Sequence, residues 1–473
     1  MRNEESWLLT VYWEQEKCYK RRWDEMEIKR KQRNLILFII SYVINNLASG
    51  VLYDTYVNYL QEVQLSIATS FWAFYGYATF ISAALLLLVS KIGYKKLLMF
   101  CSLGTAAAYF AAVFMNNPWI LYVATLLALT GVQLHFIMLG PFVAAYTDNL
   151  GGKEINWYTR TYYMGYVGYF LATYLGGAAV VKVFSVIAKI PSYHTAQVAT
   201  RNIADMSAEM RQAYIQGNQV VLGIVGVITL LSVVPVLLIR EKKEDCRTLE
   251  TEEKLTWKEK IKGTGELLLN RFARAYLIYW ALISFAMGLF TSYYTVYLNR
   301  NLHIDKATSS LIVSISYIAI VVFMLFTPKC TEKLGKVGTI FFTVMASIPF
   351  MLIIANGNRF GTFVVPVVGA ALFIRAGLAN LSSPVDSALS MDVVPKGLRP
   401  VFTSLVNFLA GIVSILSGHF TGSYLFVTQT GYQTAYYIAA VLYALAGITL
   451  FVGLYSYNHK EDQIVKETKG EKE

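Results

Sequence analysis

Apolar residues in this chain gather in long runs separated by short polar stretches, and most of the runs are long enough to cross a bilayer as helices, which takes about 20 residues. They fall near 35–60, 68–90, 97–115, 118–146, 160–183 and 219–239, and again near 273–299, 308–328, 338–355, 360–385, 401–425 and 433–456. The pattern predicts an all-α membrane protein of twelve transmembrane helices in two pseudo-symmetric six-helix bundles. The bundles would occupy 34–239 and 272–457, joined by a polar connector over 240–271 and flanked by charged tails over 1–33 and 458–473. Residues Trp7 to Trp13 read either as a short amphipathic helix on the membrane surface or as part of a solvated tail.

Each half opens on the same motif. Asn46–Leu60, NLASGVLYDTYVNYL, returns without a gap as Ser284–Leu298, SFAMGLFTSYYTVYL, and Ala48/Ala286, Gly50/Gly288, Tyr56/Tyr294, Tyr59/Tyr297 and Leu60/Leu298 are identical. Small or polar residues recur every fourth position: Asn46, Gly50, Asp54 and Asn58 in the first copy, Ser284, Gly288 and Ser292 in the second. That spacing makes one helix face. In a membrane such a face turns to protein or to water, because an uncompensated charge in hydrocarbon is costly.

Charge orients the arrangement. The tails, the connector and the loops after the second, fourth, eighth and tenth spans hold 33 of the 41 Lys and Arg residues. The opposite loops hold seven, Lys182, Lys189, Arg201, Arg211, Arg300, Lys306 and Arg359, and Arg375 alone lies inside a span. The bias places both termini in the cytoplasm of a multi-pass protein of the plasma (inner) membrane. The one long outer segment, Phe184 to Gly217, contains an amphipathic helical stretch, Ala196 to Gln216, which either caps the outer mouth or links the fifth and sixth spans, the linker being the favoured reading.

Composition agrees with membrane embedding: 56% hydrophobic, 15% charged, mean hydropathy +0.46. The net charge of +11 does not point to nucleic acid, because the basic residues cluster in loops beside apolar runs. Cys18, Cys101, Cys246 and Cys330 have no paired spacing and no neighbouring histidines, which predicts free thiols and no metal site. The charged first 33 residues do not read as a signal peptide. Gly151-Gly152-Lys153 lacks the rest of a P-loop, and HExxH and GxSxG are absent, so the reading is a protein that is not an enzyme and carries no cofactor.

Intramembrane ionisable groups in repeat-built membrane proteins mark ion and substrate pathways. Asp54, on the polar stripe, is the leading candidate for proton coupling, with a structural acid at a helix end as the alternative. Arg375 needs a carboxylate, carbonyls or an anionic ligand at its depth, and reads as a cavity or gating residue, with a structural tie between helices as the alternative. His135 is a second proton candidate. It lies two positions from Gln133, so the two point to nearly opposite faces, and an internally satisfied histidine is the competing reading. Asp386 is expected to pair with basic loop residues. Asn46, Tyr53, Tyr56, Gln133, Ser292, Tyr293 and Asn380 complete the candidate cavity set. Tyr294, Tyr297, Tyr162, Tyr163, Tyr166 and Tyr169 belong either to it or to interfacial aromatic belts. Gly165, Gly168, Gly176 and Gly177 allow close helix packing.

The two halves also share loops. Ser90-Lys91-Ile92-Gly93-Tyr94-Lys95-Lys96 follows the second span and Glu332-Lys333-Leu334-Gly335-Lys336 the eighth; Pro141, Asp148 and Arg160 recur as Pro384, Asp392 and Arg399. Together with the twelve spans, the connector and the Arg375 to Pro384 and Val394 to Arg399 segments, these loops make the chain resemble a major facilitator superfamily transporter over residues 34–457. The resemblance implies a gating role for Lys91, Gly93, Lys95, Glu332, Lys333, Gly335 and Arg399. The acid that the family places before the basic residue of the first loop is Ser90 here, so the gating charge network attached to that acid is not carried over to the first half. The arginine of proton-coupled exporters is missing from Leu126–Pro141, and the fifth span keeps Gly176-Gly177 without the antiporter Gly-Pro. The expected function is secondary transport of a small organic solute by alternating access, coupled to protons, by a chain acting as a monomer in the lipid bilayer. A facilitated or cation-coupled uptake permease, and a membrane sensor or assembly partner that transports nothing, are the alternatives.

Overall fold

The computed structural model describes residues 2–115, 117–147, 154–249, 257–395, 398–428 and 430–470. Asp148, Gly151 to Lys153, Lys396 and Gly397 lie outside the described residues, as do the side chains of Trp7 to Trp13 and of Cys18. Among the described residues eleven helices are long and apolar enough to cross a membrane, and the shorter apolar helix Phe71–Leu86 takes the second place in their order. We label the twelve α1 (Glu25–Val63), α2 (Phe71–Leu86), α3 (Tyr94–Phe114), α4 (Pro118–Thr147), α5 (Asn156–Ile187), α6 (Ala208–Leu238), α7 (Arg271–Arg300), α8 (Lys306–Met324), α9 (Thr327–Ala355), α10 (Gly357–Asp392), α11 (Val401–Leu425) and α12 (Gly431–Asn458). The face bearing the connector and the end of α12 is called the termini face here, and the opposite one the distal face.

The repeated motif has a mechanical counterpart. In α1 the regular helix gives way to a π-helical turn at Leu52–Tyr56. In α7 it stops at Gly288, passes through a 3₁₀ turn at Thr291–Tyr293 and resumes at Tyr294. Such interruptions release backbone groups from the regular ladder and often mark working positions. The repeated tyrosines are structural ties on either side of the pseudo-symmetry. Tyr59 donates to the Ala112 carbonyl at the end of α3 (2.7 Å), and Tyr297 to the Ile354 carbonyl at the end of α9 (2.8 Å). The repeated prolines act alike: α4 turns at Met138 and α10 at Ser382, just ahead of Pro141 and Pro384, as the missing N–H of proline requires.

Within the first bundle α1 packs on α5, and α3 on α4 and α6; within the second α7 and α9 pack on α12, and α8 on α10. Two seams join the bundles, α5 against α8 and α2 against α11. Small residues make both seams close. A methyl added at Gly177 of α5 would overlap the Ser310 side chain of α8, and one at Gly76 of α2 would meet the Gly411 carbonyl of α11 at 2.7 Å. With no apolar gradient between helix and lipid, this intimate packing is what association in a bilayer relies on.

The distal segment departs from expectation. Ala196–Gln216 is two helices: Tyr193–Ala199 ends at Thr200, and α6 starts after Ser207, whose hydroxyl accepts from the Met210 N–H. Capping by Ser207 starts a new helix inside the amphipathic stretch, the local preference of serine at helix starts. Nor is the segment merely a linker. Gln197 donates to Asp305 (2.9 Å), and Asn299 to the Thr200 carbonyl (2.7 Å), so it seats on the start of α8 in the other bundle.

Candidate functional site

Asp305 caps α8 by accepting from the Thr308 N–H, which puts Lys306 in the first helical turn. It is not a loop residue: its side chain is fully buried, 0% exposed. The reason lies across the bundle boundary. Lys306 Nζ is 2.5 Å from Asp54 Oδ1, and Ser310, one helical turn further along α8, donates to Asp54 Oδ2 at 2.8 Å. Asp54 sits in the π-helical turn of α1, 2% exposed. One turn on, Asn58 donates to Thr295 Oγ1 of α7 at 2.8 Å. A buried carboxylate with both oxygens bonded, opposite a buried ammonium, offsets a desolvation cost that neither group could carry alone.

This pair is the innermost part of a distal latch. Towards the distal surface Gln61 donates to Tyr432 (3.0 Å), and Glu62 binds Arg300 of α7 (2.6 Å) and Arg211 of α6 (2.7 Å). Beside it, Tyr293 and Thr421 donate to the Thr69 carbonyl at the start of α2 (3.0 and 2.9 Å). The polar bonds between the bundles thus concentrate at one end. Toward the membrane middle the α5/α8 seam continues through rings, Tyr166 and Tyr169 against Tyr317.

Arg375 of α10 forms a second centre. It is 4% exposed, and its partners are phenols and rings, with no ion pair to it among the described residues. Nη1 donates to Tyr294 and Nη2 to Tyr443, each at 2.5 Å, while Phe290 lies 4.5 Å from the guanidinium carbon. Nε has no partner. Cation–π contact and charged hydrogen bonds hold the guanidinium but leave its charge unneutralised. The break in α7 supplies two of these partners, Phe290 and Tyr294.

The other candidates are dispersed. His135 is buried inside the first bundle, its Nε2 3.1 Å from the Ser41 hydroxyl and its ring stacked on Phe38. Gln133 is buried with an unpartnered amide nitrogen. Asn46 turns back to the Tyr42 carbonyl and packs against Gly165 and Gly168 of α5, and Asn380 bonds the Ala376 carbonyl of its own helix. Tyr56 bonds Thr125 of α4 (2.9 Å), and Tyr53 meets Phe71 edge-on. Ser292 is buried with its hydroxyl unpaired. Asp386 does not pair with basic loop residues. It lies buried beside Tyr276 and Tyr279 of α7 with one carboxyl oxygen unpartnered, because a full turn of α10 and then Asp392 intervene before Arg399, and Asp392 takes Lys336 (2.7 Å).

Lys306 is the buried ion-pair partner that the sequence did not single out. A signal was present: Asp305 reads as an N-cap, and Lys306 and Ser310, four apart, share a face.

A family model described as Major Facilitator Superfamily matches residues 34–418. The chain belongs to this superfamily. Among curated proteins nothing matches. Similar solved structures include the nucleoside transporter NupG (15% identity, TM-score 0.69, 89% of this chain and 99% of that one). The D-xylose-proton symporter is similar too (12%, 0.62, 89% and 97%). A third is a bacterial homolog of the human lysosomal transporter Spinster, in an inward-facing, unoccupied conformation (12%, 0.61, 90% and 97%).

In this superfamily member the two glycine loops are tied within their own bundles. Gly93 has φ of +91°, and the carboxylate of Glu241, just past α6, accepts from the N–H groups of Tyr94 (2.6 Å) and Lys95 (3.3 Å). An acid at a helix start satisfies orphan donors there, so Glu241 supplies an acid beside the loop whose expected acid position is Ser90. Lys95 Nζ donates to the Leu237 carbonyl (2.6 Å), while Lys91 is exposed. In the second half Gly335, φ +73°, is matched by Asn458 at the end of α12, which accepts from Val337 N–H and donates to the Leu334 carbonyl. Glu332 and Lys333 are exposed, and Arg399 donates to the Met391 carbonyl (2.9 Å). Next to Glu241, burial and that carboxylate push the Cys246 thiol up to about 12.

Proposed function

We propose that this protein is a secondary active transporter that moves a small organic solute by alternating access, with Asp54 carrying the coupling proton. The observation that carries the reading is the one-ended latch. Asp54, Asn58, Gln61 and Glu62 on α1 hold Lys306, Thr295, Tyr432 and Arg300 near the distal face. The same bundles meet elsewhere along seams of small residues and rings. Bonds gathered at one end can open while two rigid halves rock about smooth seams, the motion this architecture uses.

Protonation of Asp54 removes the charge that Lys306 pairs with, so proton binding and distal opening share one residue. The interrupted turns at Leu52–Tyr56 and Thr291–Tyr293 give α1 and α7 places to bend. The bias of basic residues supports a cytoplasmic termini face, hence a distal face closed to the outside, in a plasma-membrane protein working as a monomer without a cofactor. Proton coupling is named for one structural relative, the D-xylose-proton symporter, and is proposed here on the strength of Asp54.

The test is solute-driven proton movement in proteoliposomes, screening dyes, sugars, amino acids and organic anions against the intact protein and Asp54→Asn. Flux lost in the variant while binding survives supports the assignment. Undiminished coupled flux removes Asp54 from the mechanism, and no flux of any solute supports the sensor reading instead.

A further inference from the structure

Among the described residues two cations, Lys306 and Arg375, are buried between these helices, and they are treated differently. Lys306 faces a carboxylate, and Arg375 faces none among the described residues. The nearest acid on its own helix, Asp386, is eleven residues on, roughly 16 Å along the axis at 1.5 Å per residue. A guanidinium has five N–H donors and cannot shed its proton in a protein, so its charge stays in the site in every state of the cycle.

Around it the inventory is one-sided. Arg375 Nη1 and Nη2 donate to the oxygens of Tyr294 and Tyr443, and Nε–H has no partner. A phenol oxygen that accepts from a guanidinium still carries its own O–H to donate. The cluster therefore offers several buried donors and a full positive charge, with no anion to take them. Its walls are flat and apolar: Phe290 covers the guanidinium at 4.5 Å and stacks on Tyr436, with ring centroids 5.3 Å apart. Tyr294 is half-buried while Tyr443 is buried.

We infer that Arg375, with the hydroxyls of Tyr294 and Tyr443, binds the anionic head of the transported solute, and that the solute is a small organic carboxylate. This rests on the transport reading for the word transported; the binding site itself does not. A carboxylate supplies the acceptors the cluster lacks, two oxygens for the Nε–H and the two phenolic O–H groups, and replaces water as the partner of a charge that cannot be neutralised by proton loss. Because both partner residues Phe290 and Tyr294 flank the 3₁₀ turn of α7, a bound anion would draw on the same segment that the distal latch engages through Thr295.

The test uses purified full-length protein and three probes: benzoate, its neutral isostere benzamide, and inorganic sulfate as a bare oxyanion. Binding is read by calorimetry in detergent, and flux of labelled benzoate and benzamide in proteoliposomes. The intact protein is expected to bind benzoate on the order of tenfold or more tighter than benzamide, the size a charged hydrogen bond carries. Arg375→Gln should erase that preference, Arg375→Lys should restore part of it, and Tyr294→Phe and Tyr443→Phe should each weaken benzoate several-fold while leaving benzamide unchanged. Equal binding of acid and amide by the intact protein, a preference that survives Arg375→Gln, or failure of both benzoate and sulfate to bind protein of native elution volume overturns the inference. Anion binding without flux of any probe leaves the site standing and sinks the transport reading. Flux of benzamide with no preference for benzoate does the reverse.

Discussion

Asp54 of α1 and Lys306 of α8 are 252 residues apart in the chain and form a buried ion pair across the boundary between the two bundles, with oxygen and nitrogen 2.5 Å apart. Breaking such a pair from one side leaves an uncompensated buried charge, which typically costs about 3–5 kcal/mol. Lys306→Met and Asp54→Asn should therefore each lower the melting temperature of the purified protein, and the exchanged pair Asp54→Lys with Lys306→Asp should recover most of the loss. Additive losses in the exchanged protein, measured by thermal unfolding in one detergent, would show that the two charges are stabilised separately.

Gly177 of α5 faces Ser310 and the Lys306 carbonyl of α8. A larger side chain there has to push the seam apart next to the ion pair. Gly177→Val is expected to leave expression and elution volume near normal, because the residue lies at an interface between preformed bundles, but to reduce flux severely. Ser310→Ala should relieve part of the defect, since it removes the atom that the new side chain meets first. A variant that transports like the parent would mean that the α5/α8 seam is not held closed during the cycle.

Much of the fold was legible because membrane insertion leaves few choices: apolar runs, basic loops and a 238-residue repeat name the helices, their order and their pseudo-symmetry. What the repeat could not say is how its copies differ. Tyr59 and Tyr297 keep one job, but Tyr56 bonds Thr125 while Tyr294 holds Arg375. Asp54 was legible as a polar-face acid in a membrane helix, and Arg375 as a charge in mid-span. Lys306 was not, because a lysine at the edge of an apolar run reads as a snorkelling loop residue unless its partner 252 positions earlier is known. Asp386 was misread for the complementary reason: it is close in sequence to basic residues, whereas the turn of α10 aims it at Tyr276 and Tyr279.

On the termini face, the raised Cys246 thiol gives a prediction about pH. Its value of about 12, above the ordinary thiol range because of burial and the Glu241 carboxylate, means that very little thiolate is present near neutrality. In a variant whose only cysteine is Cys246, maleimide labelling should be slow at pH 8 and should climb about tenfold per pH unit, because the thiolate is the reactive form. Glu241→Gln removes a negative neighbour, which lowers the thiol's pKa and speeds labelling at a given pH. It also weakens the cap on Tyr94 and Lys95, worth about 1 kcal/mol. Labelling that is fast and flat between pH 7 and pH 9 would contradict the burial of this sulfur.

Asn58 and Thr295 join α1 to α7 inside the distal latch, with the amide nitrogen 2.8 Å from the hydroxyl oxygen. If the latch opens and closes in every turnover, fixing it shut must stop transport without harming the fold. Cysteines placed at both positions, in a background without Cys18, Cys101, Cys246 and Cys330, are expected to cross-link under mild oxidation, since the present structure holds the two residues in contact. Flux should fall to the level of empty liposomes on oxidation and return on reduction, while each single-cysteine protein is unaffected by either treatment. The decisive comparison is the oxidised double variant with and without reductant in the same vesicles. Continued flux with the bond formed would mean that the two bundles need not part at this end, and alternating access about the Asp54 latch would have to be abandoned.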